Sequence, residues 1–281
     1  MKELLKCAIL AAVEAGKAIV KIYESENFQI EFKGDSSPLT RADKAAHNII
    51  EKYLLETDIP ILSEEGNHEG YEIRKHWKRL WIVDPLDGTK EFIKRTGEFT
   101  VNIALIEDGY PIAGVVFVPV TQTLYYGDVD NGSFKIVLNS TWRQDCAVDI
   151  VKPKKLPISI QEQNFKVVAS VSHLSKETEN FVDILKEKYG AIDFLSIGSS
   201  LKICKIAEGS ADIYPRLGPT MEWDTAAGQA IAECAGMRFI NWYTKQRFNY
   251  NRAELLNNWF VVVGEKVKQR ELIDLIEQFK Y

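Results

Sequence analysis

The sequence predicts a layered α/β or α+β sandwich. Two amphipathic helices open the chain, strand-like runs fill most of its first half, and helices alternate with strands in the second half. The strands argue against a helical bundle, and sheets covered by helices bury both kinds of element. A length of 281 residues corresponds to roughly two domains or one large α/β unit.

The two leading helices are predicted from apolar periodicity and a capping signal. Apolar residues in the first 22 positions recur at three- and four-residue steps. Glu14 and Lys17 interrupt the apolar stretch, which favours a folded helix over a signal peptide. After a strand and a loop over 28–40, Thr40 is a plausible N-cap with Asp43 three positions later, so a second helix is predicted over 40–57.

The rest of the first half is predicted to be mostly meandering sheet. A short strand runs into an acidic turn, a buried strand leads into a tight acidic turn and a helix start, and a β-hairpin and two further strands follow. These segments are 59–66, 79–92, 100–120, 123–129 and 132–138.

The least periodic stretch, 139–165, is rich in Pro and Lys and marks the predicted boundary between subdomains 1–150 and 151–281. Beyond it the pattern predicts strand, helix, strand, helix, strand, helix, strand and a closing helix. The helix over 223–236 ends at a glycine.

Composition excludes several classes of function. With 35 Lys and Arg against 40 Asp and Glu, the net charge is −5, which argues against a general nucleic-acid binder. The four cysteines lie far apart without metal-ligand spacing, so a structural zinc site or a disulfide framework is not expected. No apolar run approaches the roughly 18 residues of a membrane span. A cytoplasmic location is expected, with peripheral association at the inner face of the membrane still open.

The strongest chemical signal lies at residues 81–89. An apolar strand delivers Asp84 and Asp87 at its C-terminal end, followed by Gly88 and Thr89 where a helix can begin. Two carboxylates so close repel one another unless a cation lies between them, and hard oxygen ligands suit Mg²⁺. Backbone amides at a helix start can hold an anion. Metal and phosphate would then share one pocket.

Alternative interpretations of this turn fit less well. A Ca²⁺ EF-hand loop needs alternating oxygen ligands and a distal Glu, which this loop lacks. Haloacid-dehalogenase phosphatases place one residue between their aspartates, whereas Pro85 and Leu86 both intervene here, so a phosphoaspartyl mechanism is disfavoured. A simple helix-capping turn would explain residues 87–89 but gives no reason for Asp84.

Two further acidic clusters accompany this turn. Residues 63–66 (Ser-Glu-Glu-Gly) lie at another strand end, and residues 222–228 open a small-residue helix on which Asp224 could point into a cleft. Taken singly, a solvated turn and an ordinary N-cap explain them equally well.

Together the three clusters resemble the inositol monophosphatase superfamily of Mg²⁺-dependent, lithium-sensitive phosphatases. Its Asp-Pro-(Leu/Ile)-Asp-Gly-Thr signature matches residues 84–89, its acidic pair matches Glu64 and Glu65, and its Trp-Asp-x-Ala-Ala-Gly signature matches residues 223–228. Within the superfamily, the bacterial 3′(2′),5′-bisphosphate nucleotidases are the most similar, through segments 32–43, 84–106 and 198–231. The resemblance implies a layered α/β/α/β/α sandwich, like inositol monophosphatase and fructose-1,6-bisphosphatase, with the site between two subdomains.

The resemblance also implies a role for each site residue. Two or three Mg²⁺ ions would be held by four carboxylates and one backbone carbonyl, namely Glu64, Asp84, Asp87, Asp224 and the carbonyl of Leu86. Thr89, paired with Asp43, would orient and help deprotonate the attacking water. The amides of Gly88 and Thr89 would hold the scissile phosphate, and Glu65 would fix a water beside the metal ligands.

Substrate choice is expected to depend on a second set of residues. By resemblance, Ser199, Lys202, Arg216 and His173 line the nucleotide pocket, and Glu64, Asp87 and Asp224 also face the substrate. Cationic side chains there would bind the second phosphate of a bisphosphate. Without the resemblance, Lys202 and Arg216 read as solvated surface charges, and His173 as part of a helix cap.

The predicted activity is hydrolysis of adenosine 3′,5′-bisphosphate to AMP and phosphate in sulfur assimilation. The partner is therefore a small nucleotide bisphosphate, with the chain as a monomer or homodimer. An inositol-phosphate or sugar-phosphate phosphatase is the alternative on the same scaffold, and a catalytically silent nucleotide-binding module is a remote one.

Overall fold

The computed structural model describes residues 1–25, 31–32, 38–139, 152–158, 164–169 and 175–279. Its helices are α1 (Lys2–Tyr23), α2 (Arg41–Leu54), α3 (Tyr71–Arg74), α4 (Thr89–Ile93), α5 (Lys176–Tyr189), α6 (Leu201–Ala207), α7 (Glu222–Cys234) and α8 (Gln269–Gln278). Its strands are β1 (Glu31–Phe32), β2 (Pro38–Leu39), β3 (Ile61–Ser63), β4 (Arg79–Asp87), β5 (Thr100–Glu107), β6 (Tyr110–Val118), β7 (Thr123–Asp128), β8 (Gly132–Val137), β9 (Lys154–Lys155), β10 (Phe165–Val168), β11 (Ile192–Leu195), β12 (Ile213–Arg216), β13 (Arg238–Asn241) and β14 (Phe260–Val263).

The first sheet has seven strands in the order β3-β4-β5-β6-β7-β8-β9. Only β3 and β4 pair in parallel, and the remaining neighbours are antiparallel, which confirms the predicted hairpin as β5 and β6. Because β9 pairs with β8, this sheet extends to residue 155, a few residues past the boundary predicted at 150. The division into two subdomains stays a prediction.

The second sheet has five strands in the order β11-β10-β12-β14-β13. The strands β10, β11 and β12 run parallel, and β14 is antiparallel to both of its neighbours. Parallel strands need crossover connections, and α5 and α6 supply them here. The alternation of helices and strands predicted for the second half is confirmed up to α7, after which β13 adds a strand that was not predicted before β14.

Five layers pack through three hydrophobic cores, of which the central one lies on both sides of the middle helix layer. One core joins α1 and α2 to one face of the seven-stranded sheet. A second fills the space between the two sheets, where α6 and α7 lie. A third packs α5 and α8 on the outer face of the five-stranded sheet. This is the α/β/α/β/α sandwich that the sequence predicts.

The predicted helix start at Thr40 is also confirmed. The Thr40 hydroxyl accepts a hydrogen bond from the Ala42 amide at 3.1 Å, and Asp43 Oδ2 accepts one from the Thr40 amide at 2.7 Å. This reciprocal cap fixes Asp43 on the first turn of α2, where its side chain is buried.

Within the described residues, every helix is too short or too polar to cross a membrane.

Candidate active site

A β-bulge in β4 brings its two aspartates to the same side of the sheet. Asp84 lies opposite Asn102 of β5, and Asp87 lies opposite Thr100. Three residues along β4 therefore span the same distance as two residues along β5. In a regular strand, residues three apart point to opposite faces. The extra residue of the bulge removes that difference. The side chain of Leu86 is buried in the core shared with α1 and α2.

Asp84 is the centre of the acidic cluster. Its side chain is buried, and its Oδ1 accepts a hydrogen bond from the Leu86 amide at 3.0 Å. Burial raises the pKa of Asp84 well above its usual range, and the carboxylates of Glu64, Asp87 and Asp224 raise it further. Glu64 also forms a side-chain hydrogen bond with Asp84. Four acids from three separate segments therefore act on one another.

Asp224 faces this cluster from the start of α7. Its Oδ2 accepts a hydrogen bond from the Met221 amide at 2.8 Å, which caps the helix. Burial, together with the charges of Asp87 and Glu64, raises the pKa of Asp224 to about 8, although Arg216 acts in the opposite direction. A carboxyl group in this setting is ionised at neutral pH only when positive charge is added to the site.

The acidic side chains interact without forming a closed ligand cage. Across the described residues, no three His, Cys, Asp or Glu side chains are already spaced to hold a metal ion. The donor set nevertheless fits hard divalent cations, because it consists of carboxylates whose mutual repulsion a cation would relieve.

Thr89 and Asp43 approach each other beside the cluster. Thr89 Oγ1 lies 3.5 Å from Asp43 Oδ1 and 3.4 Å from the carbonyl oxygen of Leu86. These two oxygens are alternative acceptors for the single hydroxyl proton, and both contacts are long. Asp43 Oδ2 is occupied by the amide and hydroxyl of Thr40. Burial and the charge of Glu65 raise the pKa of Asp43 to about 6, although the hydrogen bonds from Thr40 lower it. This carboxyl group titrates close to neutral pH.

Gly88 connects β4 to α4 in a conformation that favours glycine. Its φ is 96°, and a Cβ atom there would lie 3.1 Å from the carbonyl oxygen of Glu98. The amides at the start of a helix have no acceptor within the helix. That the Gly88 and Thr89 amides hold the scissile phosphate stays a prediction.

The structure adds site residues that sequence reasoning missed. Both the amide and the hydroxyl of Ser200 lie against Asp87 Oδ2, at 2.6 and 2.7 Å. The same hydroxyl is 2.6 Å from the carbonyl oxygen of Asp224 and accepts from Asn102 Nδ2 at 2.9 Å. Asn102 is held in turn by the hydroxyl of Thr100 at 2.9 Å. A buried Asn within the apolar strand TVNIALIE was the available signal for this contact.

A cavity of about 470 Å³ opens beside the cluster, between the two halves of the chain. Asp87, Gly88 and Asp224 line it, together with the predicted Ser199, Lys202 and Arg216. Lys90 of α4 and Lys94, which follows that helix, line it as well and were not predicted. His173 lies outside the described residues.

The predicted cations, Lys202 and Arg216, each donate a hydrogen bond to a backbone carbonyl nearby in the sequence. Lys202 Nζ donates to the carbonyl of Ser199 at 3.1 Å and lies 6.0 Å from the ring centroid of Tyr214. Arg216 Nη2 donates to the carbonyl of Pro219 at 2.8 Å. Arg216 Nε is buried without a hydrogen-bond partner, which is uncommon for a buried donor and marks a group that a ligand could satisfy.

The loop that carries Ser199 and Ser200 is fixed from the opposite half of the chain. Glu98 Oε2 accepts a hydrogen bond from the Gly198 amide at 2.8 Å. A Cβ atom at Gly198 would lie 2.9 Å from both Glu91 Cγ and the carbonyl oxygen of Glu98, so a larger residue would push the loop away. One wall of the cavity therefore depends on a contact between the two halves.

Comparison with known proteins gives a consistent result. The family model described as the inositol monophosphatase family matches residues 1–280. The 3′(2′),5′-bisphosphate nucleotidase CysQ of Salmonella typhimurium is 44% identical over 257 residues, covering 89% of this chain and 96% of that protein. The CysQ of Escherichia coli K12 is 43% identical over the same length.

Solved structures show the same fold. The crystal structure of CysQ from Bacteroides thetaiotaomicron is 47% identical, with a TM-score of 0.84 over 93% of this chain and 97% of that one. The suhB protein of Bartonella henselae, 23% identical with a TM-score of 0.74 over 98% of this chain and 99% of that one, shares the fold. The chain therefore belongs to the inositol monophosphatase family of metal-dependent phosphatases.

Proposed function

We propose that this chain is a Mg²⁺-dependent 3′(2′),5′-bisphosphate nucleotidase. It hydrolyses the 3′-phosphate of adenosine 3′,5′-bisphosphate to give AMP and phosphate, within sulfur assimilation. The CysQ relatives that carry this activity in their names align over most of the chain. Cys7, Cys204 and Cys234 are free thiols, which fits the reducing cytoplasm as the place of the reaction.

One observation carries the proposal: two members of the acidic cluster and two of the predicted cations line the same cavity. Asp87 and Asp224 line this cavity, and so do Lys202 and Arg216. A volume of about 470 Å³ is within the range of small-molecule sites. A substrate with two phosphates matches such a cavity, because one phosphate can meet the metal site while the other meets the cations.

The metal site is proposed to hold two or three Mg²⁺ ions. Their ligands would be the carboxylates of Glu64, Asp84, Asp87 and Asp224 and the carbonyl of Leu86. The observation that supports this assignment is that Glu64, Asp87 and Asp224 all act on the buried Asp84 and raise its pKa, while Arg216 only partly offsets the raised pKa of Asp224. When bound, the ions supply Lewis-acid stabilisation of the charge that develops on the phosphoryl oxygens.

Thr89 and Asp43 are proposed to prepare the attacking water. In this proposal the Thr89 hydroxyl donates to Asp43 Oδ1, 3.5 Å away, and its oxygen accepts a hydrogen bond from the attacking water. Asp43 must be ionised to accept, and its pKa of about 6 keeps it ionised at pH 7 and above. A proton acceptor whose pKa lies just below the working pH is suited to general base chemistry. The reaction then needs no phosphorylated side chain.

Recognition of the second phosphate is proposed to fall to Lys202, Arg216 and Ser199. Arg216 lines the cavity, and its guanidinium has further donors for a phosphate besides the Nη2 proton given to Pro219. Lys90 and Lys94 add two cations at the cavity wall. In contrast, the hydroxyls of an inositol ring would leave these charges without a partner.

A panel of phosphate esters tests the proposal. We expect kcat/KM with Mg²⁺ to be higher for adenosine 3′,5′-bisphosphate than for 3′-AMP and inositol 1-phosphate. A preference for inositol 1-phosphate would favour the sugar-phosphate or inositol-phosphate alternative. Nucleotide binding without phosphate release would favour the silent binding module.

A further inference from the structure

The segment that carries Glu64 is anchored at both of its ends. At the start, the Glu64 amide donates to the carbonyl of Val83 at 3.0 Å, which ties it to β4. At the far end stands α3, a single helical turn whose first three residues are exposed and whose last residue, Arg74, is 3% exposed. A buried arginine at the end of an otherwise exposed turn calls for a physical reason.

The guanidinium of Arg74 joins two distant parts of the chain. Its Nε donates to the carbonyl of Glu69 at 3.0 Å, within the segment that follows the acidic pair. Its Nη1 donates to Asn251 Oδ1 at 2.7 Å and its Nη2 to the carbonyl of Arg252 at 3.2 Å. Asn251 Nδ2 donates back to the carbonyl of Arg74 at 2.7 Å. All of these acceptors are uncharged oxygens arranged around one planar fork.

Residues 251 and 252 also hold the first residue of α7. The amides of Asn251 and Arg252 donate to the two carboxylate oxygens of Glu222, at 2.7 and 3.0 Å. Arg252 Nε donates to the same carboxylate at 3.0 Å. Glu222 is fully buried and lies two residues before Asp224. The position of Asp224 is therefore tied to the segment that Arg74 holds.

These contacts form a continuous path between the segment of Glu64 and the helix of Asp224. It runs from the segment of Glu64 through Arg74 and Asn251 to Glu222 at the start of the helix of Asp224. Glu64 and Asp224 belong to separate segments of the chain, and the carboxylates of both act on Asp84. Only arginine offers several fixed donors in one plane, so lysine cannot reproduce this link.

We propose that Arg74 is a positioning residue for the metal site, which holds Glu64 and Asp224 at a fixed separation through Asn251 and Glu222. The inference rests on the proposed function, because it assumes that these carboxylates bind metal. It assigns Arg74 no contact with substrate.

Calorimetric titration of the substrate-free protein with Mg²⁺ tests this inference directly. Arg74→Lys keeps the charge and removes the fork, and we expect it to raise the Mg²⁺ Kd by about tenfold, as is typical when a partner of a metal ligand is lost. At saturating Mg²⁺, KM for adenosine 3′,5′-bisphosphate should stay within about twofold of wild type, and kcat should recover. The matched control is Arg79→Gln, a half-exposed arginine nearby that pairs with Glu107 outside this path, for which no change is expected.

Asn251→Gly provides a second test that leaves Arg74 in place. The φ of Asn251 is 61°, which glycine tolerates, so this variant deletes the side-chain link without backbone strain. It should raise the Mg²⁺ Kd as Arg74→Lys does, and the double variant should add less than about twofold, because both changes break one path. It also carries the test if Arg74→Lys fails to fold.

Three results would overturn the inference: wild-type Mg²⁺ affinity in a folded Arg74→Lys or Asn251→Gly variant, an equal loss in Arg79→Gln, or multiplicative effects in the double variant. A wild-type chain that binds Mg²⁺ but does not hydrolyse the bisphosphate would refute the proposed substrate and leave the comparison of metal affinities intact. A wild-type chain that binds no Mg²⁺ would overturn both proposals.

Discussion

Replacing Asp224 by Asn should stabilise the metal-free protein at neutral pH while abolishing turnover. Burial and the carboxylates of Asp87 and Glu64 raise the pKa of Asp224 to about 8 from an ordinary 3.8. Asn has nearly the same shape, and its side-chain oxygen can still accept the Met221 amide that caps α7. The substitution therefore removes the titrating group and keeps the local structure.

The size of the effect follows from the pKa of Asp224. An acid whose pKa is higher in the folded chain than in the unfolded chain stabilises the fold at low pH, and this contribution is lost as pH rises through the folded pKa. For Asp224 the window runs from about pH 4 to about pH 8. At pH 7 the unfolded chain has released the proton that the folded chain still holds, which lowers the free energy of unfolding by about 4 kcal/mol.

Urea unfolding in EDTA at several pH values between 4 and 8.5 measures this difference. Wild type and Asp224→Asn should have similar stability at pH 4, and the variant should be more stable by a few kcal/mol at pH 7. The exposed Asp130 provides the control, since Asp130→Asn should follow wild type throughout. Mg²⁺ should stabilise wild type far more than Asp224→Asn. Parallel pH profiles for wild type and Asp224→Asn, or full activity of the variant in saturating Mg²⁺, would refute this reasoning.

Four further predictions concern catalysis and recognition. Thr89→Ala should lower kcat by about 10²- to 10⁴-fold on every phosphate ester, and a loss confined to one substrate in steady-state assays would contradict its role. The kcat of wild type should fall as pH drops below about 6, where Asp43 becomes protonated, and a flat acid limb would argue against it. Lys202→Ala and Arg216→Ala should raise KM for the bisphosphate, by a loss of binding free energy of at most about 3 kcal/mol, and leave the kinetics on inositol 1-phosphate unchanged. An equal loss on both substrates would make these residues structural. Li⁺ and Ca²⁺ should inhibit in Mg²⁺ titrations because hard-oxygen sites discriminate by size and charge, and insensitivity to both would count against the metal assignment.

Features with a local cause could be predicted from the sequence. Thr40 and Asp43 form the capping box that their spacing indicates, and the hairpin of β5 and β6 follows from two apolar runs around a short polar turn. The helix after residue 222 begins and ends near its predicted limits. In each case, neighbouring residues alone determine the structure.

Contacts between distant segments could not be predicted in the same way. Ser200 reaches Asp87 across 113 positions and Asn102 across 98. Glu98 reaches Gly198 across 100 positions. The pattern that makes 199–209 a helix is satisfied by any partner surface, so it carries no information about which carboxylate the serine meets. The sequence accordingly suggested Ser199 for the site and left out Ser200.

The same long-range contacts explain how a site built from mutually repelling acids can exist in the folded chain. Asp84 and Asp87 come from the first sheet and Asp224 comes from α7, so ionising all three would create repulsion between the two halves of the molecule. Ser200 opposes that separation because its amide donates to Asp87 while its hydroxyl, which has a single proton, can donate to the carbonyl of Asp224. Hydrogen bonds to a charged acceptor are worth roughly 1.5 to 3 kcal/mol each, a magnitude comparable with the penalty of the raised pKa values. A cation placed among the acids would remove the repulsion and leave these hydrogen bonds intact. Metal binding should therefore stabilise the whole fold and not only the site.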